Sequence, residues 1–228
     1  GAYHTYSHQV ESEGVNSEPG SGSTIMAYAG ITGTDDIQNH TDPYFHYNSI
    51  KNIGDYLARH SCQFSINIDN KTPTVNAGQD VFIPMGTAYS LEALASDPDE
   101  DALTYCWEQL NSGLATRSNF GPTSESGSNN RSFSPTTSSV RTVPSMSRVL
   151  EGKLTQTNPQ TYEDWQTVSL VYRILQWGIT VRDRTETSSE TTGQTDQDSK
   201  AITVTESAGP FEITSQTTNT VVWKSGAN

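Results

Sequence analysis

His4 stands three residues after Gly1, and Met26 lies in a run of small residues, EPGSGSTIMAYAGITG, at 18–33. An imidazole is the commonest side-chain metal ligand. A catalytic zinc takes three protein ligands and leaves a fourth position for water, so one histidine alone does not hold it tightly. His8, His40, His46 and His60 fall at spacings that fit no zinc pattern, and each reads as a surface or hydrogen-bonded imidazole. Met26, taken by itself, reads as a gap-filler where a core strand enters a turn. Asp97, Asp99 and Asp101 alternate in DPDEDAL. Alternating carboxylates on a turn suit a hard cation such as Ca²⁺, with Asp183 as a candidate further ligand. The same residues read equally as a solvated acidic turn closed by an Asx cap. Trp165, Trp177, Tyr162 and Tyr172 would stack on sugars if exposed, or pack inside strands if buried.

Longer stretches carry more information. In the reprolysin-type metzincin metallopeptidases of secreted bacterial proteins, a GAxHT stretch ends the zinc motif H-E-x-x-H-x-x-G-x-x-H. A GSGSTIMAYAG stretch forms the Met-turn there, and YFH with a helix follows. Residues 1–60 resemble that family through Gly1-Ala2-Tyr3-His4-Thr5, through Gly20 to Gly30, and through Tyr44-Phe45-His46. The resemblance implies that His4 is the third zinc ligand and that Met26 supports the ligand rings from below. It also implies that Tyr28, Ala29, Gly30 and Ile31 line the pocket for the residue after the scissile bond. The physical logic is sound, because a glycine takes positive φ cheaply and lets a chain leave a helix sharply. A histidine three residues on then swings back to the metal.

Two departures qualify the resemblance. The first two histidine ligands and the general-base glutamate would precede Gly1, so the chain holds no catalytic residue of its own. It is expected to be inactive alone, with zinc a property of the parent peptidase. Thr32 stands where related sequences often carry cysteine, which implies that a disulfide near the cleft is absent. Downstream, PTVNAGQDVFIPMGTAYSLEALASDPDEDALTYCWEQL resembles the polycystic-kidney-disease-type and cadherin-like Ig modules of bacterial exoproteins. GITVRD and KAITVTE resemble the last strands of such modules. Trp107 is then a buried core aromatic.

These residues need elements to hold them. Ile50, Ile53 and Leu57 form one apolar stripe, which predicts a helix at about 49–60 capped by Ser49. From residue 73 onward, short runs with β-branched and aromatic residues alternate with Gly-, Pro- and Asp-rich turns, the pattern of a β-sandwich. Residues 111–145 and 184–199, rich in Ser, Thr and Asn, read as long exposed loops. The expected fold class is mainly β with a small α+β part. Residues 1–70 form the C-terminal subdomain of a metzincin, 73–205 an Ig-like sandwich, and 208–228 the start of a further β domain or a tail.

Composition narrows the partners. Of 228 residues 32% are hydrophobic and 17% charged, and the net charge is −13. Without a basic cluster a phosphate backbone would be repelled, which excludes nucleic acid. No apolar run approaches the length of a membrane span. The profile fits an extracellular β-rich protein, and the resemblance implies a secreted, extracellular or cell-surface bacterial one. The expected partner is a protein or peptide substrate of the parent enzyme, with a second copy covering apolar surface exposed in residues 1–70. The alternative is a non-enzymatic adhesion module that binds protein or carbohydrate. Cys62 and Cys106 are left open as a bonded or a free pair.

Overall fold

A computed structural model describes residues 2–10, 15–61, 67–183, 192–207 and 209–225. Its described residues are mainly β, with ten strands and few helices. Among the first sixty residues, those described are mostly irregular, apart from a 3₁₀ turn at Gly33–Asp35 and helix α1 at Tyr47–Ala58. The helix begins two residues before the expected start. Its cap is His46, whose Nδ1 accepts from the Asn48 amide at 3.1 Å, while Ser49 sits inside the helix and is fully buried. The predicted stripe packs in part: Ile50 and Ile53 are half-buried, while Leu57 is 48% exposed. The first turn also makes contact, where the Tyr47 ring covers Gly178. A Cβ at Gly178 would lie 2.6 Å from that ring.

The strands are β1 (Thr74–Asn76), β2 (Val81–Pro84), β3 (Tyr89–Glu92), β4 (Leu94–Ser96), β5 (Thr104–Gln109), β6 (Val140–Val143), β7 (Arg173–Arg182) and β8 (Thr195–Thr205). β5, β7 and β8 pair antiparallel, and β2 pairs parallel to β8, in the order β2-β8-β7-β5. β1 pairs with β4, and β3 pairs with β6. The core lies between this sheet and the shorter pairs, built from Leu91, Trp107, Val143, Trp177, Ile179 and Ile202, among others. β7 shows how a neighbour changes a pattern. Its first half alternates buried and exposed from Arg173 to Gln176, and its second half is buried on both faces from Trp177 to Val181. The extra burial begins where Tyr47 lies on Gly178.

Two expectations about loops are corrected. Residues 195–199 belong to β8 rather than to a loop. Their carboxylates give β1 an edge to hold, with Asp196 accepting from the Val75 amide at 2.8 Å and Asp198 from the Ala77 amide at 2.7 Å. Residues 111–145 are an exposed loop only in part, because Ala115, Phe120, Asn130 and Ser132 are buried and β6 lies within the segment. Buried polar groups need partners, and several are found here: the side-chain amides of Asn129 and Asn130 donate to the Thr167 carbonyl, and that of Asn130 also to Asn129 Oδ1, while Asn130 Oδ1 has no partner. Within 208–228, expected to begin a further β domain or a tail, the described residues form a hairpin, β9 (Phe211–Gln216) and β10 (Val221–Ser225), which leaves Phe211, Ile213 and Trp223 exposed. Among the described residues no helix is long and apolar enough to cross a membrane.

Candidate functional site

The segment bearing His4 and the loop bearing Met26 lie side by side. The Thr5 amide donates to the Met26 carbonyl at 3.1 Å, and the Ser7 amide to the Gly20 carbonyl at 2.9 Å. The half-buried His4 ring packs 4.5 Å from the Tyr28 ring, which in turn stacks on Tyr6 at 4.4 Å. Gly1 lies outside the described residues, so the approach of the chain to His4 is seen only from Ala2.

Glu18 ties these two segments together. It is buried, and its Oε1 accepts from the Ser23 and Thr24 amides at 2.9 and 3.2 Å. Its Oε2 accepts from the Thr5 and Thr24 hydroxyls at 2.5 and 2.6 Å. A buried carboxylate is tolerable when donors surround it in this way. Sequence reasoning passed over Glu18. The available signal was an acid five and six residues ahead of Ser23 and Thr24, in a run otherwise poor in charge.

Tyr28, Ala29, Gly30 and Ile31 leave this knot toward the surface, and Ile31 is 74% exposed. The turn is held by Asp36, whose Oδ1 accepts from the Gly30 amide, the Thr32 amide and the Thr32 hydroxyl at 3.0, 3.0 and 2.8 Å. Thr32 thus anchors this turn by hydrogen bonding. Gly30 has φ +87°, and a Cβ there would lie 2.2 Å from the Asn39 carbonyl oxygen, so only glycine fits.

The remaining histidines have other duties. His8 Nδ1 lies 2.5 Å from Asp35 Oδ2, His46 caps α1, His60 Nδ1 meets the Tyr56 carbonyl at 2.7 Å, and His40 is exposed. Among the described residues, the only group of three or more potential metal ligands is Asp97, Asp99 and Asp101, with one oxygen of each within 4.8 Å of the others. His4 therefore fits zinc as a single imidazole donor, and the described residues do not complete a three-ligand set around it. In the acidic turn Asp97 Oδ1 accepts from the Asp99 and Asp101 amides at 2.8 and 3.1 Å, while its Oδ2 is buried with no hydrogen-bond partner. Lys71 Nζ lies 2.7 Å from Asp99 Oδ1. Asp183 is not brought into this group. It is buried, and accepts from Asn70 Nδ2 at 2.9 Å and from the Gln194 amide at 2.5 Å.

A second buried carboxylate, Glu108, joins the first sixty residues to the sheet. It accepts from the Tyr47 amide at 2.6 Å and the Ser132 hydroxyl at 2.5 Å, with His46 Nε2 at 3.9 Å. The Tyr44 hydroxyl meets the Ser132 hydroxyl at 2.7 Å. Burial, reinforced by the negative charge of Glu108, raises the Tyr44 and Cys106 pKa values well above their ordinary ones. Cys106 is a free thiol directed at the Phe133 carbonyl, and Cys62 lies outside the described residues. Trp165 and Trp177 are fully buried and offer no face to a sugar, whereas Tyr162 and Tyr172 are exposed. No known protein family, curated protein or solved structure matches this chain.

Proposed function

We propose that the chain is the C-terminal part of the catalytic domain of a secreted zinc metalloendopeptidase, joined to an Ig-like β-sandwich. The observation that carries this reading is the Thr5–Met26 backbone bond, which sets the His4 segment against the Met26 turn as a metzincin cradle requires. The parallel β2–β8 pair beside antiparallel β7 and β5 supports the Ig-like reading of the second unit. In this assignment His4 is one zinc ligand and Met26 part of the apolar floor. Tyr28 to Ile31 border the pocket for the residue after the scissile bond. When bound, zinc would acidify a water and polarise the peptide carbonyl. The residues of this chain hold one imidazole in place, pack Tyr28 and Tyr6 beside it, and shape the pocket edge through the Asp36-anchored turn. The 228 residues contain no H-E-x-x-H, so the isolated chain is expected not to cleave casein with zinc added. In a protein that carries this chain behind an H-E-x-x-H helix, His4→Ala should abolish chelator-sensitive cleavage. Undiminished cleavage by that variant, or chelator-sensitive cleavage by the isolated chain, would refute the assignment.

A second reading concerns calcium at the turn of Asp97, Asp99 and Asp101, and rests on the buried, unpartnered Asp97 Oδ2 within that oxygen cluster. Ca²⁺ at a hundred times its dissociation constant would stabilise the fold by about 2.7 kcal/mol. The melting temperature should rise with Ca²⁺ in the wild type and not in Asp97→Asn; an unchanged wild type rules calcium out. A non-enzymatic adhesion role remains the alternative for the sandwich, with exposed Tyr162 and Tyr172 as its available contact residues.

A further inference from the structure

The segment between β5 and β7 does more than close a loop. Its Ala115 amide donates to the Ser7 carbonyl at 3.3 Å, and its Ala115 carbonyl accepts from the Gly20 amide at 2.7 Å. One residue of the second unit thereby bridges the segment that carries His4 and the loop that leads to Met26. The Arg117 amide donates to Asp35 at 2.8 Å, and the Tyr162 amide to the Ile37 carbonyl at 2.7 Å. Arg131 donates to Gln38 Oε1.

The apolar side of this contact is equally shared. Ile37 from the first unit forms one buried cluster with Phe120 and Trp165 from the second. A Cβ at Gly20 would lie 3.0 Å from the Trp165 ring. Trp165 is fully buried at φ +47°, a left-handed conformation that a bulky side chain keeps only where its surroundings enforce it. Its Nε1 donates to the Gln160 carbonyl and its own carbonyl accepts from the Arg131 amide, both at 3.0 Å.

We infer that residues 111–169 are an integral wall of the His4–Met26 cradle, with Trp165 as a positioning residue, and not loops of a detachable accessory module. The inference rests on the peptidase reading for its functional meaning. Its physical content does not: the buried cluster that includes Ile37 takes two of its three side chains, Phe120 and Trp165, from residues 111–169. Without that wall the two segments would keep their direct bonds and Glu18 but lose Ala115, the residue that bonds to both.

The test is native-state hydrogen exchange on the whole chain, in wild type, Trp165→Ala and Trp165→Phe. In Trp165→Ala the amides of Thr5, Gly20 and Ser21 should exchange about 30-fold faster or more, while amides of β7 and β8 change less than about threefold. Trp165→Phe keeps an aromatic ring against Ile37 and Phe120 and should restore most of the protection. Unchanged exchange at Thr5, Gly20 and Ser21 in Trp165→Ala would overturn the inference. Equal acceleration throughout the chain in both variants would overturn it as well, since Trp165 would then act on global stability alone. Zinc and peptide cleavage play no part in the readout, so this result stands or falls separately from the His4→Ala test.

Discussion

Replacing Glu18 tests whether one carboxylate holds the cradle together. Glu18→Ala removes the acceptor for two amides and three hydroxyls, that of Ser23 the longest at 3.5 Å. The Thr5 and Thr24 hydroxyls lie 3.4 Å apart and can turn toward each other. The Ser23 and Thr24 amides have no such escape, and each buried orphan costs about 1–3 kcal/mol. Glu18→Ala should therefore destabilise the chain by about 2–6 kcal/mol, a large share of the roughly 5–15 kcal/mol of a typical domain. Glu18→Gln keeps one oxygen for the two amides and presents its NH₂ to hydroxyls that can accept, so it should cost about 1–2 kcal/mol. Urea unfolding followed by tryptophan fluorescence gives both values. A loss below about 1 kcal/mol in Glu18→Ala, or equal losses in the two variants, would refute the hydrogen-bond reasoning.

Other perturbations separate backbone from burial effects. Gly30→Ala combines positive φ with a Cβ 2.2 Å from Asn39 O and should cost about 2–4 kcal/mol. Gly33→Ala, with φ +68° but open space around the new methyl, should cost about 1 kcal/mol in the same urea assay; similar losses in both would mean that the carbonyl contact is immaterial. Burial raises Cys106, Tyr44 and Tyr89 above their ordinary values of 9.0, 10.0 and 10.0. The folded chain thus keeps protons that the unfolded chain releases. The stability held by these groups is complete below about pH 9 and is lost as pH rises, by at most about 1.4 kcal/mol per pH unit for each group. Urea midpoints should be steady from about pH 7 to 8.5 and fall steeply above about pH 10, and a flat profile to about pH 11 would contradict the burial argument.

Local patterns made part of this legible. Apolar spacing at Ile50, Ile53 and Leu57 announced a helix, and β-branched alternation in WGITVRD and KAITVTE announced β7 and β8, because period and propensity act within one segment. The helix start was misjudged by two residues because its cap is an imidazole, His46, a choice made by the surrounding fold. Nor could composition reveal that Ser128, Asn129, Asn130 and Ser132, in the Ser-, Thr- and Asn-rich stretch from 111, are buried. Polar side chains read as solvated until partners far along the chain satisfy them, as Thr167 does for Asn129 and Asn130.

The candidate site divides in the same way. By itself, the sequence determined the residue types that could do chemistry, His4, Met26 and the alternating aspartates, and the glycines that let the chain turn between them. Only the tertiary structure decided that Glu18 knots the two segments, that Ala115 bonds to both and Trp165 packs with Ile37, and that Asp183 is committed to Asn70 and Gln194. The reason is physical: a residue's type and spacing are local properties, whereas burial and hydrogen-bond partners depend on which distant segments the fold brings within about 3 Å.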